Sequence, residues 1–500
     1  MSRLAAMLLL AVVAGCQRQA APAAATGSPL PPIAAARAST MPAPIESTLA
    51  NGLRVIVLPS PGRSLVAAEF LLLSGGEVDP PDRAGLADFT ASLLTQGTQS
   101  PAGARSAPQL AAAAEALGGS LHAQAGWDAS RIGITVTTPK LAAALDLLAD
   151  VVRHPAFAAD EVERLRGQTL DALRLSLTDP GELADLVAAR RVHGEAIYGH
   201  PRTGSIASIE RITRAELRAL HARHYRPDNA VLVLAGDLDP ETGQALAAQI
   251  FGDWLPGKTP LSAGTVADPA AAPRDPLRPP AADVLIVDLK DAGQATVVIG
   301  TALPSRAAPD YYVGLVTAAV LGGGYSSRLN QEIRIKRGLS YSAHAEFSVQ
   351  RGAGALYANA QTKNESAAEV LALIRGELLR LASETVPADE LAARKAGYGG
   401  RYQRALQTAG GLVDLISGQV AKGQNAGEMA RVTRAIDTVT AGQMRDYAHQ
   451  HLPASAWRMV IVGDARQFAG AVRAQGLRVE VIPVEQLDLD RADLRPAAIR

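Results

Sequence analysis

The sequence predicts an α+β fold built from two homologous domains. Three observations predict it. Residues 209–237, IERITRAELRALHARHYRPDNAVLVLAGD, return as residues 436–464, IDTVTAGQMRDYAHQHLPASAWRMVIVGD, at a constant offset of 227. Each copy reads as a helix, a Pro-containing turn and an apolar strand ending in Gly-Asp, so the period is that of a duplicated domain and not of a solenoid unit. Both halves also open with short apolar strands followed by a helix and then long amphipathic helices. Between them lies PGKTPLSAGTVADPAAAPRDPLRPPAA, residues 256–282, a Pro- and Ala-rich stretch of linker composition.

The N-terminus reads MSRLAAMLLLAVVAGC. Arg3 supplies a short positive region, and Leu4 to Val13 form an apolar run too short to span a bilayer as a helix. Val13-Ala14-Gly15-Cys16 resembles a bacterial lipobox, in which small residues precede a cysteine that is lipidated after cleavage. Cys16 is the chain's one cysteine. Residues 1–16 are therefore expected to be a lipoprotein signal peptide. Gln17 follows where an inner-membrane retention signal would place Asp, so the expected anchor is in the outer membrane, facing the periplasm. Residues 17–45, rich in Ala, Pro, Ser and Thr, cannot pack a core and read as a disordered tether.

The first domain is expected over 46–255. It opens with a strand at Leu53–Val57 and a second at Ala67–Leu73. A helix follows in AGLADFTASLLTQ, with Leu86, Phe89, Leu93 and Leu94 at core-facing spacing. The second domain is expected over 283–485, with a strand at Ala295–Leu303 and a helix around Val313–Leu321. The charged end, 486–500, reads as a loose tail.

Composition narrows the function. Of 500 residues, 48% are hydrophobic, and 49 basic residues balance 49 acidic ones. A net charge of zero argues against nucleic-acid binding through bulk positive charge. A single cysteine rules out a disulfide framework, a cysteine-rich zinc site and an iron–sulfur cluster. Nine histidines are present. His221 with His224, and His449 with His451, sit at the end of the repeated helix, and the equivalence of His224 and His451 favours a structural role. Gly322–Gly324 lacks the Lys-Ser/Thr of a P-loop and reads as a close helix contact or a tight turn.

NGLRVIVLPS, GLADFTASLLTQGT, YGHPRTGS, HYRPDNAVLVLAGD and LGGGYSSRLNQEIRIKRGLSYSAHA occur in that order. Over about residues 46–470 the sequence resembles the pitrilysin/insulinase family of zinc peptidases, which includes proteins of the mitochondrial-processing-peptidase type. The resemblance implies two domains, each a mixed sheet flanked by helices, together forming half of a clamshell chamber. Active members carry H-x-x-E-H on the first-domain helix. Two histidines bind zinc, the Glu acts as general base, and a Glu on a later helix completes the ligands. On that alignment the first His position is Asp88, the Glu position Ala91, the second His position Ser92 and the later Glu position Ala172, with Asp171 adjacent. Two alanines, a serine and one carboxylate are not a hydrolytic zinc site, so no metal is expected in this chain. Asp88 is expected to be solvated or to line a cavity.

Arg334 and Tyr341, seven apart in RIKRGLSY, match a pair that in the family hydrogen-bonds the substrate peptide near the scissile bond. Gly338 suits a helix C-terminus, placing Arg334 on the last helical turns and Tyr341 on the following strand. Some bacterial relatives divide the zinc motif and the Arg–Tyr pair between two chains. The resemblance thus implies a non-catalytic, substrate-binding subunit that works on short or unfolded peptides with a zinc-bearing partner. The alternative is a non-enzymatic peptide-binding or scaffold lipoprotein of the envelope.

Overall fold

The computed structural model describes residues 43–496 apart from 63, 102, 259, 260 and 262–281. The expected signal peptide with Cys16, most of the expected tether and most of the expected linker lie outside the described residues.

Two six-stranded sheets carry the fold. The first uses β1 (Ile45–Thr48), β2 (Arg54–Pro59), β3 (Leu65–Leu72), β6 (His122–Ala125), β7 (Ser130–Thr137) and β8 (Ala230–Gly236), in the order β1-β2-β8-β3-β7-β6. A ribbon of β4 (Gly97–Ser100) and β5 (Gly103–Ser106) stands apart from it. The second sheet uses β9 (Val284–Asp288), β10 (Ala295–Leu303), β11 (Ala343–Val349), β12 (Gly354–Thr362), β13 (Arg458–Gly463) and β14 (Val479–Pro483), in the order β11-β12-β10-β13-β9-β14.

The duplication is written into the pairing. In the first sheet β2 runs parallel to β8, which is antiparallel to β3, followed by β7 and β6 in antiparallel succession. The second repeats this with β9, β13, β10, β12 and β11. The sheets differ at one edge. There β1 adds antiparallel to β2, whereas β14 adds parallel to β9.

The helices that position the site are α1 (Leu86–Leu93), α2 (Ala159–Ser176), α3 (Pro180–His193), α4 (Arg214–His224), α5 (Tyr311–Gly322), α6 (Ala409–Ala421) and α7 (Ala441–His451). The repeated helices α4 and α7 start alike. Thr213 with Glu216, and Thr440 with Gln443, form reciprocal capping boxes that satisfy the otherwise free N–H groups of the first turn.

The inner strands β2, β8, β9 and β13 are apolar at consecutive positions because both faces are covered. In β2, Val55 and Val57 enter the main core of the first half, which also holds Leu86, Phe89 and Leu93 of α1. Ile56 and Leu58 face the other way, toward Leu412, Val413, Ile416 and Val420 of α6. That helix belongs to the second half of the sequence. The converse holds for the second sheet. Leu183, Ala184, Val187 and Ala188 of α3 pack on Leu285, Val287, Val298, Val460 and Val462. Each half lends one helix to the other's sheet.

The chain's end departs from the expected loose tail, as far as residue 496 is described. Leu489 O accepts from Arg190 Nε at 3.1 Å and Nη2 at 2.7 Å, Ser205 Oγ donates to Asp490 Oδ2 at 2.8 Å, and Leu494 is buried. Leu487, Leu489 and Leu494, spaced among the charges, join the apolar cluster around α3. Their burial holds a segment whose charge alone reads as solvated.

Candidate functional site

Helix α1 begins where the chain turns sharply. Gly85 has φ 88°, and a Cβ there would meet the backbone of Gly204 at 2.7 Å. Only glycine fits such a contact. Asp79 accepts from Gly85 N at 2.9 Å and Ala87 N at 2.9 Å, capping the helix. With Leu86, Phe89 and Leu93 buried on one side, Asp88 is turned to the other.

There Asp88 is half-buried and carries an ion pair that the sequence alone does not reveal. Arg202 Nη1 donates to Asp88 Oδ1 at 2.8 Å and to the Ala125 carbonyl at the edge of the first sheet. Burial raises the Asp88 carboxyl, opposed by the adjacent guanidinium. Ala91 is fully buried, Ser92 is half-buried, and Ala172 is exposed on α2. Asp171 beside it pairs with Arg174 at 2.8 Å. The residues present do not fit zinc. The single carboxylate at the motif positions is engaged by a guanidinium, and a second cation beside Arg202 would meet repulsion where a ligand should be. Among the described residues no group of three or more His, Cys, Asp or Glu side chains is placed to hold a metal ion. Sequence reading did not single out Arg202. Its signal was an arginine inside YGHPRTGS, one of the fold's motif segments.

Beside this site burial pushes the Glu77 carboxyl up to about 7, with Arg351 and the N–H of Gly75 pulling it down and Asp128 adding to the rise. Gly75 N donates to Glu77 Oε2 at 2.7 Å. A carboxyl whose pKa rises from its ordinary 4.5 on folding keeps its proton in the folded chain after the unfolded chain has lost it. Its contribution therefore falls as pH climbs through the interval from about 4.5 to about 7. Glu77→Gln, which keeps the accepting carbonyl and cannot ionise, is expected to raise the thermal midpoint at pH 8 relative to the parent and to give no gain at pH 5. An equal effect at both pH values would refute this.

The second half presents the Arg–Tyr pair. Asn330–Ile335 is a π-helix, with Lys336 N–H reaching back five residues to Gln331 O at 3.0 Å. Such wide turns recur at functional sites. Gly338, at φ 64°, reverses the chain, and its N–H meets Arg334 O at 2.9 Å. Tyr341 lies on a bend two residues before β11 and not on the strand as expected, because the Ser340 side chain holds a local turn with Ser342. Pairing with β12 starts only at Ala343. Tyr341 is 86% exposed. The Arg334 guanidinium carbon sits 4.7 Å from its centroid and 4.9 Å from that of Tyr325. The structure thus brings Arg334 and Tyr341 together and adds Tyr325, which sequence reading left inside a glycine-rich run.

The histidines of the repeat have separate duties. His221 Nε2 pairs with Val152 O at 2.8 Å and stacks on Tyr225, and burial pushes it down to about 4. His224 Nδ1 pairs with Ser74 Oγ at 3.0 Å, whereas its counterpart His451 pairs through Nε2 with Asp310 at 2.9 Å. In the glycine run, a Cβ on Gly322 would lie 1.9 Å from Ala345 N, so that glycine is required for α5 to approach β11.

Duplicated α+β halves, a first-half helix whose Asp88 is held by Arg202 and a second-half Arg334–Tyr341 pair define a two-domain α+β chain. The family model for insulinase, peptidase family M16, matches residues 54–198, and that for the peptidase M16 inactive domain matches residues 211–398. The chain belongs to this pitrilysin/insulinase family. An uncharacterized zinc protease of Mycobacterium bovis is 29% identical over 424 residues, covering 84% of this chain and 93% of the relative. One of Mycobacterium leprae is 29% identical over 411 residues, covering 81% and 89%. The crystal structure of a peptidase M16 inactive domain from Pseudomonas fluorescens superposes with a TM-score of 0.75 at 25% identity, covering 84% of this chain and 98% of that one. A protease from Helicobacter pylori shares the fold with a TM-score of 0.76 at 17% identity, covering 85% and 100%.

Proposed function

We propose that this chain is the non-catalytic, substrate-binding subunit of a heterodimeric zinc peptidase, anchored through a lipid on Cys16 to the outer membrane and facing the periplasm. The observation that carries the reading is the contrast between the halves. The first-half motif positions are closed by Asp88 and Arg202, while a half-buried Arg334 is preassembled against an exposed Tyr341. In the complex, zinc belongs to a partner bearing H-x-x-E-H, and this chain supplies half of a chamber that admits short or unfolded peptides. Arg334 donates N–H groups and Tyr341 its O–H to carbonyl oxygens of the bound peptide. Such donors hold the chain in register and stabilise negative charge as it develops on oxygen.

The test is purification of the tagged chain both alone and with its native envelope partners. The chain alone is expected to leave an unfolded fluorogenic peptide intact and to carry no stoichiometric zinc. The co-purified complex is expected to cleave that peptide and to stop when chelator is added. Hydrolysis by the solitary chain would overturn the proposal. An inactive complex without a zinc-motif subunit would also overturn it and leave the peptide-binding scaffold.

A further inference from the structure

We infer that Tyr325 is a positioning residue for Arg334, the third member of the peptide-holding group. The inference rests on the proposed function and names a residue that the Arg–Tyr spacing does not contain. Arg334 has a tyrosine ring on each of two contacts, Tyr341 at 4.7 Å and Tyr325 at 4.9 Å. An arginine on a π-helix has long, freely rotating methylenes. Aromatic faces restrict the guanidinium plane by cation–π attraction and leave its N–H edges for a ligand. Tyr325 is 64% exposed, so its ring contributes little to the core and its place there needs another reason.

The ring is also held in place. Asn330, buried on the same helix as Arg334, donates through Nδ2 to Gly324 O at 3.1 Å and accepts at Oδ1 from Ala343 N at 3.3 Å. One side chain thereby ties the residue before Tyr325 to the residue that starts the strand after Tyr341. On the other flank Arg394 Nη2 donates to Ser326 Oγ at 2.8 Å. Both tyrosine-bearing segments are fastened around the helix that carries Arg334, as a preorganised contact requires.

The experiment compares Tyr325→Ala, Tyr325→Phe and Arg334→Ala in the co-purified complex, reading kcat and KM on one unfolded fluorogenic peptide together with the thermal midpoint. Tyr325→Ala is expected to lower kcat/KM about three- to thirty-fold, the range of a cation–π contact. Tyr325→Phe, which keeps the ring, is expected to stay within about twofold of the parent, and both variants to keep its thermal midpoint. A merely structural tyrosine would shift the midpoint and not be rescued selectively in turnover. If Tyr325→Ala matches the parent while Arg334→Ala loses activity, this inference falls and the proposed function stands. If Tyr325→Phe loses as much as Tyr325→Ala, the stacking argument falls. If Arg334→Ala also leaves turnover intact, the proposed function fails with it.

Discussion

Arg334→Ala in the assembled peptidase is expected to reduce kcat/KM by about 10²- to 10³-fold, the loss typical of removing one preorganised donor from the oxygen that becomes charged. Tyr341→Phe removes a single O–H while leaving the ring beside the guanidinium, so a smaller loss of the same kind is expected. The location of both residues makes the experiment clean. Tyr341 is almost wholly exposed and Arg334 lies among exposed neighbours, so neither substitution opens a core cavity. Surface changes of this sort leave stability within about 0.5 kcal/mol. Arg334→Lys is expected to rescue little. A point charge has neither the planar fork that two carbonyls can share nor the flat face that stacks on Tyr325 and Tyr341. Turnover indistinguishable from the parent in the Arg334→Ala, Tyr341→Phe double variant would remove the ground for assigning this chain a substrate-holding role.

Several of these features were legible in the sequence, for identifiable reasons. The core face of α1 follows from the spacing of Leu86, Phe89 and Leu93, and the duplication from an ungapped repeat ending twice in Gly-Asp. Those are local patterns that burial and capping impose directly on residue choice. Arg202 was not legible because its partner Asp88 lies far off in sequence, and Tyr325 because no spacing rule shows that the turn after Gly324 folds its ring back onto Arg334. A motif gives a residue type, and the fold decides what stands opposite it. The packing of residues 487–494 was missed for a related reason. Its three leucines are too few to show a period, yet the apolar surface around α3 is waiting for them.

The exchange of helices was also invisible, because amphipathicity shows that a helix buries a face without saying which sheet receives it. It carries the largest expected effect on stability. Leu183 of α3 and Ile416 of α6 are completely buried, one on the second sheet and one on the first. Truncating either to Ala should cost about 2–5 kcal/mol, the sum of lost burial and residual cavity. That is a large part of the roughly 5–15 kcal/mol that holds a typical domain. The decisive reading is where the loosening appears. Leu183→Ala lies in the first half of the sequence, yet hydrogen exchange should accelerate in β9, β10 and β13. Ile416→Ala lies in the second half, yet exchange should accelerate in β2, β3 and β8. Each lesion thus reports on the opposite sheet, and a single cooperative thermal transition is expected for the parent. Faster exchange confined to the sheet of the mutated half would contradict the exchanged packing. The same coupling bears on function. Because α6 is anchored on the first sheet and α3 on the second, the half carrying Arg334 is held to the half carrying Asp88 by two apolar faces rather than by the linker alone. On the proposed function the Arg–Tyr pair is thereby presented from a stiff support, as a contact meeting a peptide within a fraction of an ångström would need.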